Sequence, residues 1–241
     1  YGTRLTEAGT ADDAPRGTVT LFIVDMAPGD VDYIDAKEVG YNLANGLGNI
    51  VAIDRYQYSS TAKGYVLGSD GMVDTVYGGD LQGNVWRFDL NASGASGVGL
   101  GGTPVFRAAT GTTRQAITGG FEAAVGPRGG VMVLFGTGSF SFDGDKTNTD
   151  LQTMYGVLDM PNETITAPLT RTNLQAQTMD DKFVITSTAV NYFAQRGWYL
   201  DLAVTKTDGT LDRTGERVVG YPKIEGGILY FTRYAPSGGD A

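Results

Sequence analysis

The segment 69–90, SDGMVDTVYGGDLQGNVWRFDL, constrains the fold of this chain more than any other part of it. After residue 74 its apolar and polar residues alternate, which is the period of a half-buried β-strand. The alternation breaks at Gly-Asp and at Gly-Asn, residue pairs that favour tight turns. The segment therefore predicts a β-hairpin whose two strands flank a tight turn.

The rest of the chain has the same β character. Its 241 residues include 36 glycines, 13 tyrosines and 10 phenylalanines, a composition that favours short strands separated by turns. No long segment repeats apolar residues with the helical period, so we expect little helix, and residues 160–182 are the best place for a short helix or a long excursion. Strands are predicted at 17–26, 31–39, 49–54, 129–140, 154–159, 182–187, 197–204, 216–224 and 226–234, with a small hairpin within 55–68.

An imperfect repeat runs through these strands. In VYGGD…NVWRFDL, LFGTG…MYGVLD and, more weakly, GWYLDL, an apolar strand enters a glycine turn and a second strand ends in aspartate. Units of several strands, spaced by about 40–60 residues, predict propeller blades, and four such units fit in the chain. The predicted fold is all-β, a β-propeller with a partial set of blades, and a β-sandwich is the alternative. We expect residues 17–241 to form one domain of a larger precursor, preceded by a flexible segment, 1–16.

Composition excludes several classes of function. The chain has 18 basic and 27 acidic residues, and an acidic surface repels phosphate backbones, which argues against nucleic-acid binding. The sequence has no cysteine or histidine, which excludes thiol chemistry, Cys/His zinc sites and a Ser-His-Asp triad within this chain. The sequence has no run of about 18 apolar residues, so no membrane-spanning helix is predicted. The first residue is Tyr1, without a signal peptide, so we expect a processed product or an excised domain.

A candidate metal loop precedes the hairpin. Asp70-Gly71-x-x-Asp74 places two carboxylates four residues apart, with a glycine that permits a sharp turn, as in the centre of an EF-hand-like calcium loop. Two carboxylates and the carbonyl of Met72 fall short of the 6–8 oxygens that calcium takes. An Asp-Gly turn between two strands is the alternative.

A second, weaker metal candidate follows the most hydrophobic strand. Asp143, Asp145, Thr147 and Thr149 alternate along the chain and offer side-chain oxygens. The twelfth position of this loop is Met154 instead of the bidentate glutamate of an EF-hand, which favours a solvated hairpin loop.

The hairpin itself carries polar residues with structural roles. Asp80 is predicted to accept hydrogen bonds from backbone amides of its own turn, and Arg87 to pair with Asp80 or Asp89. Trp86 and Trp198 are predicted to pack inside blades, in preference to acting as sugar-stacking platforms.

Three tyrosines lie in the 55–69 segment. Tyr56, Tyr58 and Tyr65 occur among serine and glycine, a composition that suits a protruding contact surface. We therefore predict a partner contact there.

Several motifs together resemble the C-terminal β-propeller domain of the PilY/PilC family of type IV pilus tip-associated adhesins and pilus biogenesis factors. The matching segments, in the order of the family, are NGLGNIVAID (45–54), 69–90, QAITGGFEAAV (115–125), VLFGTGSF (133–140), MYGVLD (154–159), GWYLDL (197–202) and GERVVGYPKIEGGILYFTRYAP (215–236).

The resemblance implies a modified propeller related to those of quinoprotein dehydrogenases and a non-enzymatic role. It also implies export through the periplasm to the bacterial surface, at the pilus tip. The implied partners are minor pilins of the pilus tip or a host or abiotic surface, in adhesion and in control of pilus extension against retraction.

The family calcium pattern, Asp-x-Asp-x-Asp-Gly-x-x-Asp, is incomplete here. The positions before Asp70 hold Val66 and Gly68, and Asp54 stands where the first family aspartate would, with 55–69 inserted. Either the insertion loops out, so that Asp54 joins Asp70, Asp74 and the Met72 carbonyl around one calcium ion, or the site has been lost.

Two other functions compete with this interpretation. A quinoprotein-like dehydrogenase on the related propeller would need a quinone cofactor, and no motif marks a quinone site. A structural protein of a surface filament is the other alternative.

Overall fold

The computed structural model describes residues 17–62, 64–90, 97–160, 163 and 165–236, so the predicted flexible segment 1–16 lies outside the described residues. The regular structure of this part is β-strand with four short 3-10 turns. The strands, in chain order, are β1 (Thr18–Val24), β2 (Val31–Lys37), β3 (Leu47–Ile53), β4 (Tyr56–Ser59), β5 (Gly64–Leu67), β6 (Thr75–Asp80), β7 (Asn84–Asp89), β8 (Gly97–Val98), β9 (Phe106–Arg107), β10 (Ala109–Thr110), β11 (Thr113–Arg114), β12 (Phe121–Val125), β13 (Val131–Gly136), β14 (Thr153–Asp159), β15 (Gln175–Asp180), β16 (Gly197–Thr205), β17 (Leu211–Asp212), β18 (Lys223–Glu225) and β19 (Ile228–Tyr230). The 3-10 turns are Leu100–Gly102, Pro127–Gly129, Asp143–Lys146 and Arg171–Asn173. No helix in these ranges is long and apolar enough to cross a membrane.

Six sheets form in the described residues, of which two are the small β4–β5 and β10–β11 hairpins and the other four follow one another along the chain. Sheet 1 is the β1–β2 hairpin, and sheet 2 has the order β3-β6-β7-β8, with β9 also paired to β7. Sheet 3 has the order β12-β13-β14-β16-β15, with β17 paired to β16, and sheet 4 is the β18–β19 hairpin. The predicted hairpin is the β6–β7 pair, in which Gly78 faces Trp86.

Three apolar layers separate the four sheets. Side chains of β1 and β2 pack on Trp86 and Phe88 of sheet 2, and Tyr77 of sheet 2 packs in one layer with Phe135 of sheet 3. Leu134 points to the other side of sheet 3, toward sheet 4. Because successive side chains of a strand face opposite ways, a strand between two layers must be apolar at every position. The continuous apolar run of β13 has this origin.

The first strands of successive sheets meet at one side of the stack. β3 lies beside β12, and β12 lies beside β18. Across this edge the Asn49 side-chain amide donates to the Thr118 carbonyl at 3.0 Å, and the Tyr221 hydroxyl donates to Asn49 at 2.7 Å. Sheets that share an inner edge and diverge outward are propeller blades. The predicted partial propeller is confirmed, and the four sheets do not form the two-layer sandwich considered as the alternative.

The sequence prediction was wrong in the region after β14. Residues 182–187 form no strand, and Ile185 makes only an isolated bridge to Met179. The Asp180 carboxylate instead accepts the amides of Lys182 and Val184, which closes a tight turn at the start of the predicted strand. In place of a short helix, 160–182 contains a 3-10 turn and β15, which runs parallel to β16.

Candidate functional site: the Asp54 loop and the adjoining cleft

The 55–69 insertion loops out as the small hairpin β4–β5. The Gly68 amide donates to the Arg55 carbonyl at 3.0 Å, which closes the base of the hairpin and returns the chain to the end of β3. This closure brings Ser69, Asp70 and Gly71 against Asp54. The insertion therefore loops out, as the first of the two arrangements considered from the sequence required, and it is the Asp70 amide that contacts Asp54.

Asp54 organises the turn that follows the hairpin. Its Oδ2 accepts the Ser69 hydroxyl at 2.6 Å and the Gly71 amide at 2.6 Å, and its Oδ1 accepts the Asp70 amide at 3.2 Å. The hydrogen bond from the Ser69 hydroxyl, helped by the two amides, lowers the pKa of the Asp54 carboxyl. Gly71 has a φ of +89°, a conformation that glycine adopts without strain.

The other predicted metal ligands do not converge with Asp54. Asp70 Oδ1 accepts the amide of Met72 at 3.0 Å. Asp74 accepts the Arg55 amide at 3.0 Å, the Tyr56 amide and the Thr75 hydroxyl. In the part of the chain that the structure describes, no three acidic side chains lie close enough together to hold a metal ion. As folded, the loop does not fit the 6–8 oxygens that calcium takes, and calcium binding there stays a prediction.

The second metal candidate is folded around an arginine. The carboxylate of Asp145 accepts the Ser139 hydroxyl at 2.8 Å and the amides of Ser141 and Phe142, each at 2.9 Å. Burial opposes ionisation, but these hydrogen bonds outweigh it and lower the pKa of Asp145. Asp143 is exposed, and the Thr147 hydroxyl donates to the Gly144 carbonyl at 3.4 Å.

Arg217 supplies the positive charge for this loop. The side chain is 1 % exposed, and its guanidinium donates to the carbonyls of Gly215, Ser139, Asp145 and Asn148. Burial lowers the pKa of Arg217. A guanidinium that donates to four backbone carbonyls therefore holds this loop, and nothing in the local sequence predicted it.

The predicted tyrosine contact is described in part. Tyr56 is half-buried beside Arg55, whose Cζ lies 5.4 Å from the ring centre. Tyr58 and Tyr65 face each other in the β4–β5 register, and their side chains lie outside the described residues.

The polar residues of the β6–β7 hairpin have the predicted structural roles. Fully buried Asp80 accepts the amides of Gln82 and Asn84 at 2.9 and 2.8 Å and the Trp86 indole at 2.8 Å. Trp86 itself is fully buried, and Trp198 packs in the layer between sheets 3 and 4. Both tryptophans are blade-packing residues, as predicted.

A buried ionic cluster beneath the loop was not predicted. Asp159, at the end of β14, accepts Arg55 and Arg87, each at 3.0 Å, and the Tyr77 hydroxyl at 2.6 Å. Burial, together with the charge of Asp159, raises the pKa of Tyr77. Burial alone would lower the pKa of Arg87, but the charges of Asp159 and Asp89 outweigh it and raise the pKa. Arg87 thus pairs with Asp89, as one prediction had it, and also ties sheet 2 to sheet 3.

A cleft opens between the Asp54 loop and the turn that joins β12 to β13. Its volume is about 490 Å³, and its apolar walls include Ile53 and Leu67 on one side and Ala123 and Val125 on the other. Asp54, Arg55 and Ser69 supply its polar groups. A mostly apolar concavity of this size with a few polar groups is the usual form of a binding site.

Comparison with known proteins relates this chain to one family. The model of the PilY1 beta-propeller domain matches residues 66–191. A type IV pilus biogenesis factor PilY1 homolog from Xylella fastidiosa is 34% identical over 253 residues, which cover 95% of this chain.

The chain belongs to the PilY1 β-propeller family.

Two further relatives come from Pseudomonas aeruginosa. A type IV pilus biogenesis factor PilY1 is 36% identical over 214 residues, which cover 76% of this chain. The crystal structure of the PilY1 C-terminal domain matches with a TM-score of 0.71 at 27% identity, over 90% of this chain and 50% of that domain. This chain spans only 16% of the Xylella relative and 17% of the Pseudomonas one.

Proposed function

We propose that this chain is a contact domain of a type IV pilus biogenesis factor at the bacterial surface, where it binds a pilus subunit or an external surface. The observation that carries the proposal is the match of nearly the whole chain to proteins named type IV pilus biogenesis factors, together with the propeller-like arrangement of its sheets. The role is non-enzymatic: the domain works by binding and by rigidity, for which the buried Arg55–Asp159 pair between sheets is suited.

Deleting the domain tests the proposal. In the bacterium that encodes the chain, an in-frame deletion of residues 17–236 from the parent protein should remove pili from the surface, as measured by shearing and by electron microscopy. If the domain opposes retraction, disabling the retraction motor should restore the pili. If the domain is needed for assembly, the pili should stay absent. Normal piliation and normal attachment of the deletion strain would refute the proposal.

We propose calcium as a modulator of the loop and not as a requirement for its fold. Asp54 already holds the turn through Ser69 and Gly71. Oδ2 of Asp74 already accepts the amides of Arg55 and Tyr56, so ligation by Asp74 would fall to Oδ1, which accepts the Thr75 hydroxyl. Calorimetric titration with calcium should give heat that magnesium does not give and that Asp74→Ala removes. Absence of heat would end the calcium part and leave the pilus role intact.

An absorbance spectrum separates this proposal from the dehydrogenase alternative, because a bound quinone absorbs visible light. We expect the purified chain to show protein absorbance alone. Concentration-dependent self-assembly would instead favour a filament protein.

A further inference from the structure

The cleft beside Asp54 is bordered by an unpaired strand edge. β12 pairs with β13 on one side, and in the described part of the chain no strand pairs with its other side. The Gly126 amide donates to the Gly130 carbonyl, in register with the β12–β13 ladder. Because hydrogen-bonded and non-hydrogen-bonded pairs alternate, the backbone groups of Ala123 and Val125 point away from β13, toward the cleft side.

One side chain protects this edge. The Ala123 amide, which a neighbouring strand would bind, donates to the carboxylate of its own neighbour Glu122 at 3.0 Å. A carboxylate that covers a strand edge is a recognised way to limit unwanted pairing. The cover is a single exchangeable hydrogen bond, so an incoming strand can displace it.

The polar groups of the cleft complement a peptide backbone. Asp54 Oδ1 accepts one hydrogen bond, from Asp70, and keeps a second acceptor position. An acceptor at Asp54 and the alternating backbone groups of β12 lie beside apolar walls. A ligand with closely spaced donors and acceptors and apolar side chains fits this pattern.

Val125 is the side chain whose apolar surface such a ligand would bury most. It is 96 % exposed although it belongs to a strand, and Leu67 on the opposite wall is 43 % exposed. Each is an apolar side chain that a bound segment would cover.

We propose that the cleft binds an extended, apolar segment of a second polypeptide, which adds to the free edge of β12 by strand addition. The inference does not rest on the pilus proposal, because it follows from the edge, the cleft and its polar groups alone. The segment pairs with Ala123 and Val125, displaces Glu122, and presents an N–H to Asp54.

Titration of the isotope-labelled whole chain with a blocked pentapeptide of alternating threonine and valine tests the proposal by NMR. We expect the amide signals of Ala123, Val125 and Leu67 to shift progressively, with a Kd near the millimolar range that is usual for short weak contacts. The same peptide with alternate nitrogens methylated lacks the donors of a strand and should bind at least about tenfold more weakly. Equal binding of the two peptides would mean an apolar pocket without strand addition and would overturn the proposal. Shifts confined to other residues, or no shifts, would also overturn it.

Matched variants sharpen this test. Val125→Lys should weaken the peptide about tenfold, whereas Val39→Lys, at a valine that is 98 % exposed and outside the cleft, should leave the affinity unchanged. Glu122→Ala removes the cover of the edge and should strengthen binding several-fold. Because both valines are exposed, both lysine variants should fold, and equal affinities for them would contradict the inference.

Discussion

Replacing Asp159 by alanine should destabilise this domain more than most single changes. Its carboxylate accepts hydrogen bonds from Arg55, Arg87 and Tyr77, and it is the ion-pair partner of Arg55, whose side chain is only 3 % exposed. Arg87 keeps Asp89 when Asp159 is lost, whereas Arg55 becomes a buried charge without a described counterion. Removing one partner of a buried ion pair costs about 3–5 kcal/mol, and we expect a loss in that range.

Urea unfolding followed by circular dichroism measures this loss. The matched control is Asp89→Ala, because Asp89 is 44 % exposed and Arg87 retains Asp159, so its cost should stay within about 1 kcal/mol. The double variant Asp159→Ala with Arg55→Met should lose less stability than the sum of the losses of the two single variants, because it no longer contains the unpaired buried charge of Arg55. A free energy of unfolding of Asp159→Ala within about 1 kcal/mol of that of the unaltered chain, with the same dependence on urea concentration, would refute this reasoning. The ionic cluster would then not hold sheets 2 and 3 together.

Three further predictions concern other parts of the fold. Arg217→Met should lower the free energy of unfolding in urea by about 2–3 kcal/mol, because buried carbonyls lose their hydrogen-bond donor. Arg217→Lys should not restore the stability, because one ammonium group cannot reach all of these carbonyls. Gly197→Ala should cost about 3 kcal/mol or more, because its Cβ would lie 1.9 Å from the Gly156 carbonyl oxygen at a φ of +125°. Gly209→Ala, where the Cβ would meet nothing within 4 Å, should cost only the strain of positive φ, about 1–2 kcal/mol. The lowered pKa of Asp145 means that its stabilisation is present above the unfolded value, 3.8, and is lost as the pH falls through the lower folded value. In thermal unfolding scans, the melting temperature of Asp145→Asn should therefore fall less below about pH 4 than that of the unaltered chain. The same fall in both proteins would contradict a stabilising role of the Asp145 carboxylate.

The parts of the fold that were predictable are those with a local signature. The β6–β7 hairpin and the buried β13 follow from side-chain period and turn residues. The return of Asp70 to Asp54 was one of two arrangements that the interrupted calcium pattern left open. Residues 182–187 have the composition of a strand, but a turn capped by Asp180 competes with it and prevails.

The long-range contacts could not be read from the sequence. Arg55 and Asp159 are 104 residues apart, and neither has a pattern that marks the other. The partners of Arg217 are backbone carbonyls, which every residue carries, so no residue type identifies them. The cleft likewise depends on how β3 and β12 diverge, which is a property of the packed sheets.

Site-specific cross-linking tests most directly the claim that this domain acts by contact with a pilus subunit. The chain has no cysteine, so Val125→Cys introduces a single thiol that can carry a benzophenone photoprobe, and Val39→Cys is the matched control. After irradiation of each labelled chain with sheared pili from the same bacterium, we expect an adduct at position 125 that mass spectrometry identifies as a pilus subunit, and little or none at position 39. Equal adducts at both positions, or no pilus subunit at 125, would contradict contact with a pilus subunit through this cleft.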